Sequence, residues 1–112
     1  MDPNDFSTYE QELRRGTVVL AALVALRTPG YGYGLLEELA AAGFDADANT
    51  LYPLLRRLEK HGFLTSEWDT GESRPRKFYR TSEAGNRLAA HLIAHWNEID
   101  GAMRRLTEGD AS

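Results

Sequence analysis

The chain has 112 residues, 42% hydrophobic and 27% charged, with a formal net charge of −4 and no cysteine. That is enough for one small domain with a modest core, and the balance excludes a disordered chain. The lack of thiols excludes a disulfide framework and thiolate metal sites. The longest apolar run, Val18 to Leu26, is nine residues, far short of the ~20 a membrane helix needs. No basic segment precedes it, so no secretory signal is read and the cytoplasm is the expected compartment.

The charge is unevenly placed. Between Asn49 and Arg80 seven bases face four acids, a net of +3, and the rest of the chain carries −7. Phosphate contacts depend on the local patch, so an acidic protein with a positive stretch can bind nucleic acid.

Residues 1–6 are polar and read as a flexible tail. Ser7-Thr8-Tyr9-Glu10 fits a capping box, which opens a first helix running to about Arg27. Its second half, TVVLAALVAL, is apolar nearly all round and should be the central buried helix. Gly16 lies inside it, at a cost of ~1 kcal/mol relative to alanine that close packing would offset. Thr28-Pro29-Gly30 ends that helix, and a second is expected from Gly32 to Ala42 with Gly43 as its stop. Tyr31 and Tyr33 flank a glycine at its start. That arrangement suits close approach to either a phosphate backbone or a packing partner. Gly30, Gly32 and Gly34 follow no strand, so a phosphate loop is not read.

After a turn at Phe44-Asp45-Ala46 comes DANTLYPLLRRLEKHG. Leu51, Leu54, Leu55 and Leu58 recur at the spacing of one buried helix face. Asn49, Pro53, Arg56, Arg57 and Lys60 fall roughly opposite. Asp47 or Asn49 caps the helix, and a start near Asn49 places Pro53 in or near the first turn. A short helix with a leucine keel and a basic, amide-bearing face fits a DNA major groove. Then Leu64–Asp69 alternates, Thr70–Pro75 reads as a turn, and Arg76–Thr81 reads as a returning strand. The result is a two-stranded hairpin with a basic tip, and Leu64, Trp68 and one of Phe78 or Tyr79 should anchor it.

Ser82 caps a last helix from Glu83 to about Leu106. Leu88, Leu92, Trp96, Ile99, Met103 and Leu106 form a heptad-like stripe on it. This helix outruns a small three-helix core, so its far stripe needs a partner, most simply a second copy of the chain. The fold class read from this order is mainly α with a small two-stranded β-hairpin: a winged helix-turn-helix over 7–82 and a dimerisation helix over 83–108. In that arrangement the third helix enters the major groove and the wing reaches neighbouring backbone.

The stretches ELRRGTVVLAALVAL, YGYGLLEEL, NTLYPLLRRLEKHGFL and RKFYRTSEAG resemble the PadR-like transcriptional regulators, in their short form with a single C-terminal helix. The family usually has a hydrophobic residue and threonine where this chain has Thr81-Ser82. The resemblance implies a homodimeric DNA-binding repressor relieved by a small phenolic or planar aromatic effector. Asn49, Thr50, Tyr52 and Arg56 would then face bases and Arg57 and Lys60 phosphates. Arg74, Arg76 and Lys77 would be wing contacts, and Tyr31 and Tyr33 backbone contacts. The operator would be pseudo-palindromic double-stranded DNA.

Trp96 is either filler of the dimer seam or the wall of an effector pocket, with Leu92, Ile93, Ile99 and Met103 as neighbours. His91 and His95 are spaced i, i+4, but no third ligand accompanies them and no metal is read. No catalytic constellation and no cofactor motif is found, so the chain is not read as an enzyme. The alternative is a winged-helix module that binds a protein instead of DNA.

Overall fold

The computed structural model describes residues 5–44, 46–71 and 74–111. Residues 1–4 of the tail read over 1–6 therefore lie outside the described residues, as do Asp45 of the turn and Glu72 and Ser73 of the wing tip. The elements are α1 (Ser7–Arg14), α2 (Thr17–Ala25), β1 (Gly30–Tyr31), α3 (Gly32–Ala41), α4 (Ala48–Lys60), β2 (Leu64–Asp69), β3 (Arg76–Thr81) and α5 (Glu83–Ala111). The molecule measures 63 × 37 × 21 Å, and α5 supplies much of the long dimension, because 29 helical residues at 1.5 Å rise make ~43 Å.

The single first helix expected from Ser7 to Arg27 is two. Backbone torsions stay right-handed through Arg15 and Gly16, but the helix is interrupted there. Open space surrounds Gly16, so no neighbour in this chain offsets its cost, contrary to expectation. The capping box does not form either. Phe6 holds the cap position without a side-chain bond, and Ser7 donates to Asp5 instead, from its amide at 3.0 Å and its hydroxyl at 2.6 Å. These two bonds hold the Asp5 carboxyl below its ordinary range.

Leu23 and Leu26 of the α2 segment, Leu35 and Leu39 of α3, the four leucines of α4, Leu64, Tyr79 and Ala89 form one buried cluster. Helix α3 ends at Gly43, whose φ of +98° only glycine adopts readily. The Phe44 amide then reaches back to the Leu39 carbonyl at 2.7 Å. Gly85 stands where a Cβ would overlap the Phe63 carbonyl, so the first turn of α5 can press against the entry to β2.

The sheet has three strands, in the order β1-β3-β2, all antiparallel. The third strand is the two-residue β1, which pairs Gly30 with Tyr79 and Tyr31 with Phe78. A two-residue strand leaves no periodicity to read, which is why only the hairpin was expected. Leu64 and Tyr79 anchor it as expected. Trp68 does not: it is 64% exposed. Odd positions of β3 face the helices and even positions face away, so Tyr79 and Thr81 are buried while Arg76 and Arg80 are exposed.

Thr81 replaces an apolar anchor with a polar one. Its hydroxyl donates to the Leu23 carbonyl at 2.6 Å and its amide to the Leu26 carbonyl at 2.8 Å. Both carbonyls lie at the C-terminal end of α2, where helical partners run out. Ser82 caps α5 as expected, accepting from the Gly85 amide at 3.0 Å.

Candidate nucleic-acid interface

Helix α4 is set in place by its N-terminal cap and its leucines. Asp47 is the cap and accepts from the Thr50 amide at 2.8 Å. Leu51, Leu54, Leu55 and Leu58 are buried. That fixes the rotation of the helix and turns the opposite side outward. Asn49, Thr50, Pro53, Arg56, Arg57 and Lys60 are all exposed. At ~100° per residue Asn49, Pro53, Arg56 and Lys60 lie along one ridge, flanked by Arg57. The helix starts at Ala48, so Pro53 sits in its second turn and has no N–H to give the Asn49 carbonyl. That leaves a backbone acceptor on the outer face.

Tyr52 is half-buried and serves a different end. Its ring lies where any Cβ on Gly32 would collide. The glycine between Tyr31 and Tyr33 therefore admits a packing partner, and that partner is the recognition-like helix itself. Tyr33 is 69% exposed and remains available to a backbone.

The wing is held on both of its faces. On one face, the Tyr31 hydroxyl donates to Asp69 at 2.7 Å. The Arg76 guanidinium lies 4.4 Å from the centre of the Tyr31 ring, and Phe78 meets that ring edge-on at 6.0 Å. The Tyr31 hydroxyl, the Gly71 amide and Arg76 hold the Asp69 carboxyl below its ordinary range. On the other face, Glu59 of α4 accepts from the Ser66 hydroxyl and from the Lys77 ammonium at 3.1 Å. Lys77 also lies 5.3 Å from the centre of the Tyr79 ring. The Ser66 bond is the main reason the Glu59 carboxyl is lowered, with Lys77 adding to it. Its bond to Glu59 raises Lys77 in turn.

Of the residues named from the sequence, the structure brings Asn49, Thr50, Arg56, Arg57 and Lys60 onto one exposed face, with Arg74 and Arg76 exposed on the wing. Tyr31, Tyr52 and Lys77 are half-buried and engaged with their own fold. Sequence reasoning missed Glu59, Ser66 and Asp69. The available signal was acids within an otherwise basic stretch. It also passed over Arg80, exposed on the same sheet face as Arg76.

A second concavity lies away from this face. It is an apolar groove of about 380 Å³ between α2, the end of α3 and α5, walled by Leu20, Val24, Leu39, Phe44, Ile93 and Trp96. Of the five effector candidates, Ile93 and Trp96 line it. Leu92 packs on the core, and Ile99 and Met103 stand exposed further along α5. His91 and His95 contact each other, ring centres 4.7 Å apart, and His95 faces Glu98 at 3.6 Å. Among the described residues no group of three metal-ligating side chains occurs. No helix among them is long and apolar enough to cross a membrane.

Residues 19–91, about two thirds of the chain, match the family model of the transcriptional regulator PadR-like family. The chain belongs to that family. It is thereby a transcriptional regulator and not an enzyme. A crystal structure of a PadR family transcriptional regulator from Eggerthella lenta superposes with a TM-score of 0.87 at 49% identity, covering 91% of each chain. A PadR family transcription regulator from Clostridium difficile shares the fold at 19% identity and a TM-score of 0.74, over 81% of this chain and 98% of that one. The transcriptional regulator Rv3488 of Mycobacterium tuberculosis is 42% identical over 55 residues, which are 49% of this chain and 51% of that protein. The region matched is thus about half the length of that relative. The PadR-like fold is a winged helix-turn-helix followed by a long C-terminal helix, as the element order implied.

Proposed function

We propose that this PadR-like chain is a homodimeric, sequence-specific DNA-binding repressor. Residues 7–82 form the DNA-binding unit and 83–108 the dimerisation helix. The observation that carries the reading is the exposed ridge of α4, with Asn49, Arg56 and Lys60 in line and Thr50 and Arg57 beside it. The wing bases Arg74 and Arg76 are exposed as well. Asn pairs bidentately with adenine and Arg with guanine, so Asn49 and Arg56 are assigned to bases. Arg57, Lys60 and Arg74 are assigned to phosphates. A two-fold dimer places two copies of α4 ~34 Å apart, one DNA turn, on a pseudo-palindromic site in the cytoplasm. A protein-binding module would have no use for this basic ridge.

The test is fluorescence anisotropy with the DNA upstream of the gene, titrated at several salt concentrations. Arg56→Ala should weaken binding about tenfold and relax specificity at one base pair. Arg74→Ala should weaken all sequences alike and lower the slope of log affinity against log salt by ~0.9. Affinity indifferent to salt and to both substitutions would refute the reading.

A small planar aromatic effector is supported by the groove beside Trp96, an apolar concavity with a flat aromatic wall. Emission from Trp96 in a Trp68→Phe variant should be quenched on titration with planar aromatic compounds. Quenching that disappears with Trp68 would place the compound elsewhere.

A further inference from the structure

A carboxylate on a surface meant for phosphates calls for a reason, because it repels what its neighbours attract. Glu59 sits in the last turn of α4 between Arg56, Arg57 and Lys60. Its two oxygens are divided between the two wing strands: one accepts from Ser66 on β2 and the other from Lys77 on β3. Ser66 pairs with Tyr79 in the ladder. Ser66 and Lys77 are therefore diagonal neighbours on one sheet face, the face that looks toward the helices. Both members of the ion pair are about 30% exposed, sheltered enough for the bond to count and open enough for it to break. No other residue of α4 is hydrogen-bonded by its side chain to both wing strands among the described residues.

Resting on the DNA-binding reading above, we propose that Glu59 is a positioning residue, a single carboxylate that locks the wing to the recognition helix so that α4 and the wing meet the duplex in one fixed pose. Lys77 belongs to this lock and does not touch phosphate. The hydrogen bonds that hold the Glu59 carboxyl below its ordinary range keep it ionised, and an ionised carboxylate accepts from both strands at once.

The sign of one substitution separates position from charge. Glu59→Gln makes the protein one unit more positive beside the duplex. If Glu59 acts only through its charge, this variant binds DNA more tightly. If Glu59 positions the wing, the variant binds the upstream DNA about three- to tenfold more weakly, in the range of couplings within one bonded network. Lys77→Gln should weaken binding with no change in salt slope, whereas Arg74→Gln lowers the slope by ~0.9. The double variant Glu59→Gln/Lys77→Gln should be no weaker than the worse single variant.

A second arm needs no DNA. Amide hydrogen exchange in the free protein should quicken at Ser66–Trp68 and Lys77–Tyr79 in Glu59→Gln, while Leu23 of α2 stays protected. Should that variant lose protection throughout, Ser66→Ala, which removes one of the two bonds, takes its place in both arms. Binding as tight as wild type, unchanged wing exchange, or a salt slope lowered by Lys77→Gln would each overturn the proposal. A wild-type protein that binds no DNA would instead defeat the functional reading, and the exchange arm would still decide whether Glu59 holds the wing.

Discussion

The two halves of α5 carry the same apolar rhythm and meet opposite fates. The near half is folded into the body: Ala89 is fully buried, Leu88 and Leu92 pack on the core, and Gly85 lets the helix close against the chain. The far half carries Trp96, Ile99, Met103 and Leu106 between 57% and 66% exposed. An exposed row of large apolar side chains on a helix is unstable in isolation and marks an interface. The body, by contrast, closes its own account. No buried side-chain polar atom among the described residues lacks a partner. The difference shows that one helix can finish one core and begin another, and only the first is contained in a single chain.

The sharpest way to break that comparison is to cut the buried core of the body and the exposed stripe of α5 in turn. Leu51→Ala empties a fully buried site and should cost about 2–5 kcal/mol, read as a lower denaturation midpoint. Met103→Ala removes a side chain already in solvent in the single chain and should leave the body intact. Its effect, together with Leu106→Glu, should fall on assembly. Sedimentation should show dimer affinity reduced about tenfold or more, with the helical circular dichroism of the body retained. Variants that stay fully dimeric would remove the far half of α5 from the interface.

A smaller effect separates the body from the far half of α5 by their polar chemistry. Asp47→Ala removes a cap that fixes where α4 begins, and should cost ~1 kcal/mol. Asp100→Ala removes an exposed i, i+4 pair with Arg104 at 2.9 Å, and should cost only a few tenths. Equal losses from the two would mean that α5 is more constrained than its exposure indicates.

How far the sequence discloses this architecture follows the length of each signal. Four leucines at helical spacing set the rotation of α4 unambiguously, and with it the outward ridge of Asn49, Arg56 and Lys60. The two hairpin strands follow from alternation and the turn residues between them, and the far stripe of α5 from its 4-3 steps. The misses have short or non-local causes. A two-residue strand such as β1 has no period. Ser7 had two acids within reach, and a choice between Asp5 and Glu10 turns on local geometry. Trp68 looked like an anchor by type, and it shares the helix-side face with Leu64 and Lys77, but it stands near the wing tip, beyond the part of that face the helices cover. Lys77 looked like a contact by charge, but its carboxylate partner lies eighteen residues earlier. Basic residues are legible as a patch. Which of them are spent inside the fold is not.

The smallest predicted effect concerns pH and tests those internal pairings directly. Glu59 and Asp69 are both lowered from ordinary values of 4.5 and 3.8, the first chiefly by Ser66 and the second chiefly by the Tyr31 hydroxyl. A carboxyl depressed in the folded state contributes stability that is fully present above its unfolded value and fades as pH falls through the folded one. Lys77 is raised from 10.5, chiefly by its bond to Glu59, so its share is complete below that value and fades above it. The wing should therefore be held equally well across the neutral range and loosen at both extremes. The acid side should begin just below pH 4.5 and the alkaline side above pH 10.5. Wing amides followed by hydrogen exchange, corrected for the intrinsic pH dependence, should show both limbs while the amides of α2 show neither. Glu59→Gln should erase most of the limb that begins near 4.5 and spare the part due to Asp69. An acid limb untouched by that substitution would mean that the grip on the wing comes from the Tyr31 side alone.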